Sequence, residues 1–194
     1  MARTRLSRAG RYEQLVEVAW ALVREEGADA LTLGRLAERA GVAKPVVYSH
    51  FASRAVLLAA LFKEFDDRQT VMLAEYLEAA DESLSGRANA IANSYVGCSL
   101  AQGRELTGVL AALEGSPELE QVKRESERAY SERCREVLTP FSADGPAQSS
   151  MTAIFGAAEA LSHSAVIGVL SPEDAKGELA ALIVAVVGRP SPTG

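Results

Sequence analysis

One stretch, Leu31 to Leu58 (LTLGRLAERAGVAKPVVYSHFASRAVLL), limits the folds open to this chain more than any other. Thr32 is suited to cap a helix, because its hydroxyl can accept from a backbone N–H one turn on. Leu33, Leu36, Ala37 and Ala40 follow at i, i+3, i+4 and i+7, one apolar helical face. Gly41 stands where a helix end wants a left-handed residue. The spacing then predicts a second short helix from Lys44 to His50, with Pro45 tolerated in its first turn, where the N–H groups have no helical partner. Val47 and Phe51 are four apart and face the core. Lys44, Pro45, Val46, Tyr48, Ser49 and His50 are left to face outward. Ser53 can cap the helix after that.

Helix, glycine turn, short helix is the helix-turn-helix plan, whose second helix enters the DNA major groove. GVAKPVVYSHF resembles the recognition-helix signature of TetR-type bacterial transcriptional regulators. The LAERAG helix before it and the Ser-Arg-x-x-Leu-Leu start after it resemble the same family. The motif resemblance runs from about residue 10 to 62, and the remainder is similar in length and helical layout. Two positions depart from the family. Ala43 replaces the usual Ser or Thr cap, a loss of roughly 0.5–2 kcal/mol elsewhere. Pro45 and Val46 replace the common Gly and Thr, and an apolar pair suits thymine methyls rather than hydrogen-bonding edges.

The net charge of −6 appears unsuited to DNA until it is divided. Residues 1–54 hold nine Lys or Arg and six acids, a balance of +3, which leaves −9 for the rest. The basic part can neutralise phosphates while the acidic part stays off the duplex. The first twelve residues contain four arginines and no acid. Arg3 and Arg5 either reach a minor groove or phosphates, or belong to a solvated tail. Thr32 adds a helix N-terminus that can seat a phosphate, with Arg35 one turn away, and Arg54 does the same at the start of the fourth helix.

The periodicity predicts a first helix over 10–26, with Trp20 at the edge of its apolar face. From Ser53 to about Ser83 the chain holds no Pro or Gly, and reads as one long helix or two with a bend near Asp66 and Asp67. Helices over 87–102 and 105–114 are separated at Gly103, and Ser116-Pro117 opens another with acids in its first turn. The face expected for that helix is Leu119, Val122, Ser126, Ala129, Arg133 and Val137, with Tyr130 and Cys134 alongside. A penultimate helix spans 151–169 and a last one 176–187, the latter apolar almost all round. A helix apolar on every side must be covered on every side. A second copy supplies that cover in an isologous four-helix interface, with a core-filling hairpin inside a monomer as the alternative. The interface expected from these helices comprises Gly156, Ala160, Ser164, Gly168, Leu179, Leu182, Ile183 and Val186, and paired reading heads suit a palindromic site.

The family resemblance implies a small-molecule pocket in the C-terminal bundle, whose occupancy changes the spacing of the reading heads. It would draw on Phe62, Phe65, Met72, Tyr95, Cys98, Leu110, Tyr130, Phe155, Glu159 and His163, with plain core packing the alternative for each. The acidic balance points to a lipophilic effector, neutral or cationic. Glu159 and His163 are four apart and either line a pocket or pair near a dimer seam. No ligand cluster at metal spacing, Gly-rich phosphate loop, nucleophile elbow or carboxylate constellation is present, so neither a metal cofactor nor an enzyme is expected. No apolar run is long enough to span a bilayer, and no signal peptide pattern opens the chain. Cys98 and Cys134 are expected as free thiols in a bacterial cytoplasm.

The expectation is therefore an all-α protein. Residues 1–52 would form a three-helix helix-turn-helix DNA-binding domain with a basic arm. Residues 53–190 would form an effector-binding and dimerisation bundle, and 191–194 a tail. The expected function is a homodimeric one-component regulator, a repressor released from an inverted-repeat operator by an effector. The alternative is a helical scaffold that binds a protein partner through its apolar C-terminal helices.

Overall fold

Local signals set most of the helix boundaries. The computed structural model describes residues 6–113 and 117–189, which form eight α-helices and two short 3-10 turns with no strand among them. They are α1 Arg8–Glu26, α2 Leu33–Ala40, α3 Lys44–Tyr48, α4 Arg54–Ala79, α5 Leu84–Leu113, α6 Pro117–Leu138, α7 Gln148–Val166 and α8 Pro172–Val187. Arg3, Arg5, Ser116 and the 191–194 tail lie outside the described residues. No described helix is long and apolar enough to cross a membrane.

The chain falls into two compact units. One contains residues up to Glu64 together with Arg104–Lys123, and the other contains Phe65–Gly103 with residues from Arg124 on. The sequence expectation put the division at 52/53. The observed grouping keeps the first eleven residues of α4 and the segment after Gly103 with the helix-turn-helix. Gly103 is where α5 departs from helical geometry, at φ 58° and ψ −142°, a backbone setting that favours glycine.

In the first unit, α1, α2 and α3 close over a core that includes Leu15, Trp20, Leu31, Leu36, Val47 and Phe51. The Trp20 indole N–H donates to Glu64 Oε2 at 2.8 Å, so its one polar atom is satisfied where the ring is buried. Arg24 pairs with Glu105 at 2.8 Å, and Gly108 lies close against Ala28, which ties the 104–113 segment to the end of α1.

In the second unit a separate core gathers Ile91, Val96, Tyr130, Cys134, Leu138, Met151, Ile154, Leu179 and Ile183. Here the residues expected alongside the face of α6 become its centre. Tyr130, Cys134 and Leu138 are buried while Ala129 is exposed and Arg133 half-buried. The large Tyr130 ring removes more apolar area from water than an alanine, so the helix turns about one residue toward it. Burial holds the Cys134 thiol up at about 12, so it stays protonated and unreactive at neutral pH. The last helix starts earlier than expected because Ser171 caps it. The Ser171 hydroxyl accepts from the Asp174 N–H at 3.0 Å and donates to its carboxylate at 2.7 Å, with Pro172 at the first position.

Gly41 closes α2 at φ 63° and ψ 37°, donating its N–H back into the last turn. Gly41→Val therefore lowers the stability of the first unit by about 1–2 kcal/mol. Urea unfolding followed by fluorescence reads this directly, because Trp20 is the single tryptophan and lies in that unit.

Candidate nucleic-acid interface

The site is built from three local decisions. Thr32 Oγ1 accepts from the Arg35 N–H at 3.1 Å and starts α2. Gly41 ends it. Val47 and Phe51, 0% and 1% exposed, then pin the next segment from behind. What remains of α3 faces outward. Ala43, Lys44, Pro45, Tyr48 and Ser49 are exposed, with Tyr48 at 54%, and Val46 is half-buried. As the sequence implies, Ala43 makes no capping hydrogen bond. The helix is only five residues long, too short to hold itself.

His50 is less free than its neighbours. It is half-buried, with its ring 6.3 Å from those of Tyr12 and Phe51. Burial, then the charges of Arg8 and Arg11, lower its pKa. It is therefore a neutral hydrogen-bonding group at pH 7 rather than a fixed cation. The Ser49 hydroxyl donates to the Val46 carbonyl at 2.7 Å, which steadies the end of α3.

The arginines divide into committed and uncommitted groups. Arg35 grips Glu26 through two N–H groups at 2.7 and 3.1 Å and reaches Glu38 at 2.9 Å. Those contacts lower the Glu26 pKa. Arg39 pairs with Glu25. Arg54 donates to the carbonyls of Leu31 and Ala28, both at 2.8 Å, and so fixes the loop that leads into Thr32. Expected as phosphate contacts, Arg35 and Arg54 thus sit in internal pairs whose partners come from residues up to 26 positions away, beyond the reach of a periodicity argument. Lys44 is exposed and makes no ion pair among the described residues.

The residues expected around an effector separate. Phe62 and Leu110 belong to the first unit, whereas Phe65, Met72, Tyr95, Cys98, Tyr130, Phe155, Glu159 and His163 belong to the second. Tyr95, Tyr130 and Phe155 meet as a ring cluster with centroids 5.9–6.0 Å apart. Glu159 and His163 do not join it. They stand exposed on α7, in one stripe with Gly156 and Ala160. Of the expected dimer residues, Leu179 and Ile183 are 0% exposed within their own protomer and cannot present themselves to a partner. The all-round apolar character of α8 is satisfied on that side by the unit's own core. Leu182 and Val186 remain half-buried, and Ala181 and Ala185 are exposed. Ser164 donates to the Ala160 carbonyl at 2.8 Å, and Gly168 lies in the turn after α7 at φ 78°.

Comparison with known proteins places this geometry. Residues 15–61 match the family described as bacterial regulatory proteins, tetR family. None of the curated proteins matches the chain. Solved structures of the same fold include a TetR transcription regulator from Haloarcula marismortui, with TM-score 0.76, 15% identity and coverage of 92% of this chain and 98% of that one. Another is a transcriptional regulator from Rhodococcus sp., with TM-score 0.74, 19% identity and coverage of 91% and 95%. A TetR-family transcriptional regulator from Streptomyces coelicolor has TM-score 0.72, 15% identity and coverage of 91% and 94%.

The absent cap gives a direct test of how α3 is held. Ala43→Ser supplies the missing acceptor and raises the stability of the first unit by about 0.5–1 kcal/mol. The same Trp20 fluorescence measurement checks it.

Proposed function

We propose that this chain, a TetR-type fold with a tetR-family segment over residues 15–61, is a homodimeric one-component regulator that represses transcription from an inverted-repeat operator. The observation that carries this reading is the exposed row Lys44, Pro45, Tyr48 and Ser49 on a short helix pinned by Val47 and Phe51 behind a left-handed glycine turn. Lys44 and the Tyr48 hydroxyl contact phosphates, and Pro45 and Val46 meet base edges through apolar contact. Arg3 and Arg5 follow the minor groove. Thr32 and His50 add neutral hydrogen bonds to the backbone, and Arg35 and Arg54 position the helices that carry these contacts.

A second copy covers the exposed small-residue stripe of α7 and α8. Gly156, Ala160, Ala181 and Ala185 allow close approach, with Ser164, Leu182 and Val186 at its margins. Two copies related by a twofold axis set their recognition helices about 34–36 Å apart, one DNA turn. The second unit binds the effector. Release follows only if the effector prefers the spacing that does not fit DNA.

Selection of duplexes from a random pool by the purified chain should enrich an inverted repeat bound by two protomers. Lys44→Ala and Tyr48→Ala should weaken binding to every sequence, the lysine change also lowering the salt slope by about 1.8, one phosphate contact for each of the two protomers. Substitution at Pro45 or Val46 should shift the preferred sequence. Enrichment of nothing, with weak binding lost steeply as salt rises, would leave only the phosphate attraction and sink the operator reading.

Ala160→Glu buries a carboxylate at the proposed seam in both copies. It should shift the protein from dimer to monomer in sedimentation and weaken operator binding at least tenfold. A protein already monomeric without the substitution would favour the scaffold reading instead.

A further inference from the structure

Among the described residues, three buried side-chain polar atoms, all on residues of the second unit, have no hydrogen-bond partner: Gln102 Nε2, Arg133 Nε and Ser162 Oγ. Gln102 and Ser162 are each only 4% exposed. Native interiors hold few such atoms, because each gives up water and gains nothing in return.

Their positions are related. Gln102 stands seven residues, two turns, beyond Tyr95 on the same face of α5. Ser162 stands seven beyond Phe155 on the same face of α7. Arg133 stands three beyond Tyr130 on α6, with its guanidinium 5.7 Å from that ring's centroid. The three helices that bring Tyr95, Tyr130 and Phe155 together are thus the three that carry the unpaired atoms. One end of the Arg133 guanidinium is already placed, donating to Thr70 Oγ1 at 2.8 Å beside Asp66 at 3.8 Å, which leaves Nε free.

The chemistry of the set is one-sided. A guanidinium Nε–H and an amide NH2 only donate, and the Ser162 hydroxyl does either. Burial pushes the Tyr95 and Tyr130 hydroxyls well above their ordinary values, so they too keep their protons, that of Tyr130 being given to Ser94 Oγ at 3.0 Å. The unpaired Gln102 and Arg133 donors call for an acceptor. Asp66 offsets part of the Arg133 charge and Glu159 and Glu127 act on Tyr95, so the selection for an acceptor comes from these unpaired N–H groups and not from net local charge.

We propose that the second unit binds a ligand with an apolar body against the Tyr95–Tyr130–Phe155 cluster and an oxygen-acceptor head, a carboxylate foremost, held by Arg133 and Gln102. This rests on the reading of that unit as the effector-binding part and replaces the neutral or cationic effector expected from net charge. Net charge is a property of the surface, whereas the ligand meets the few groups inside.

The test uses the full-length protein with straight-chain fatty acids and phenylalkanoic acids of increasing length, each beside the primary amine of the same skeleton. Thermal unfolding is followed against ligand concentration. At least one acid should raise the midpoint saturably, with its amine at least tenfold weaker. Gln102→Leu should leave the ligand-free midpoint equal or higher, since it removes an unpaired buried amide, yet weaken the acid at least tenfold. Gln102→Glu should abolish acid binding. Equal binding of acid and amine, an acid affinity untouched by Gln102→Leu, or no saturable acid in either series would overturn the proposal. An amine that releases operator DNA while every acid is inert would overturn it too, and would leave the effector-released regulator standing. A bound acid that leaves operator affinity unchanged would uphold the site and remove its regulatory role.

Discussion

The candidate interface depends on the burial of Val47 and Phe51. A five-residue helix without a cap has no independent stability. Two apolar side chains four residues apart remove one face of α3 from water, and Phe51 also meets the Tyr12 ring at 5.5 Å. With that face fixed, Lys44, Pro45 and Tyr48 have only the outside left to them. The direction in which the site points is a consequence of core packing, and the polar residues play no part in setting it.

Electrostatics then separates residues that orient from residues that are available to a partner. Arg35, Arg39 and Arg54 are as basic in sequence as Lys44, yet carboxylates or carbonyls hold each of them. Arg54 is a clamp on the loop before α2, so its contribution to any bound duplex passes through the position of Thr32. Exposed pairs such as Arg39–Glu25 contribute little to stability. Their effect here is to lower the positive charge presented around α2 and leave it concentrated near α3.

The second unit shows the opposite balance. Its core is large and apolar, and Leu179 and Ile183 of the last helix are absorbed by it. The outer side of α7 and α8 keeps small residues, with Gly156, Ala160, Ala181 and Ala185 exposed. The same unit holds the unpaired Gln102, Arg133 and Ser162 atoms, on the three helices that also carry its aromatic cluster.

The sequence by itself determined the features that are local. The Thr32 cap, the left-handed Gly41, the uncapped Ala43, the break at Gly103 and the helix-turn-helix were all legible, because each depends on dihedral preference or on hydrogen bonds within one turn. So was the all-α class, through apolar spacing over long segments. Only the tertiary structure decided which charges are free, since the partners of Arg35 and Arg54 come from other elements. It also decided that α6 turns its Tyr130 side inward and that Leu179 and Ile183 belong to their own protomer's core. Helical periodicity names a face to within about one residue, and the volumes packed against that face select the side chains that are buried.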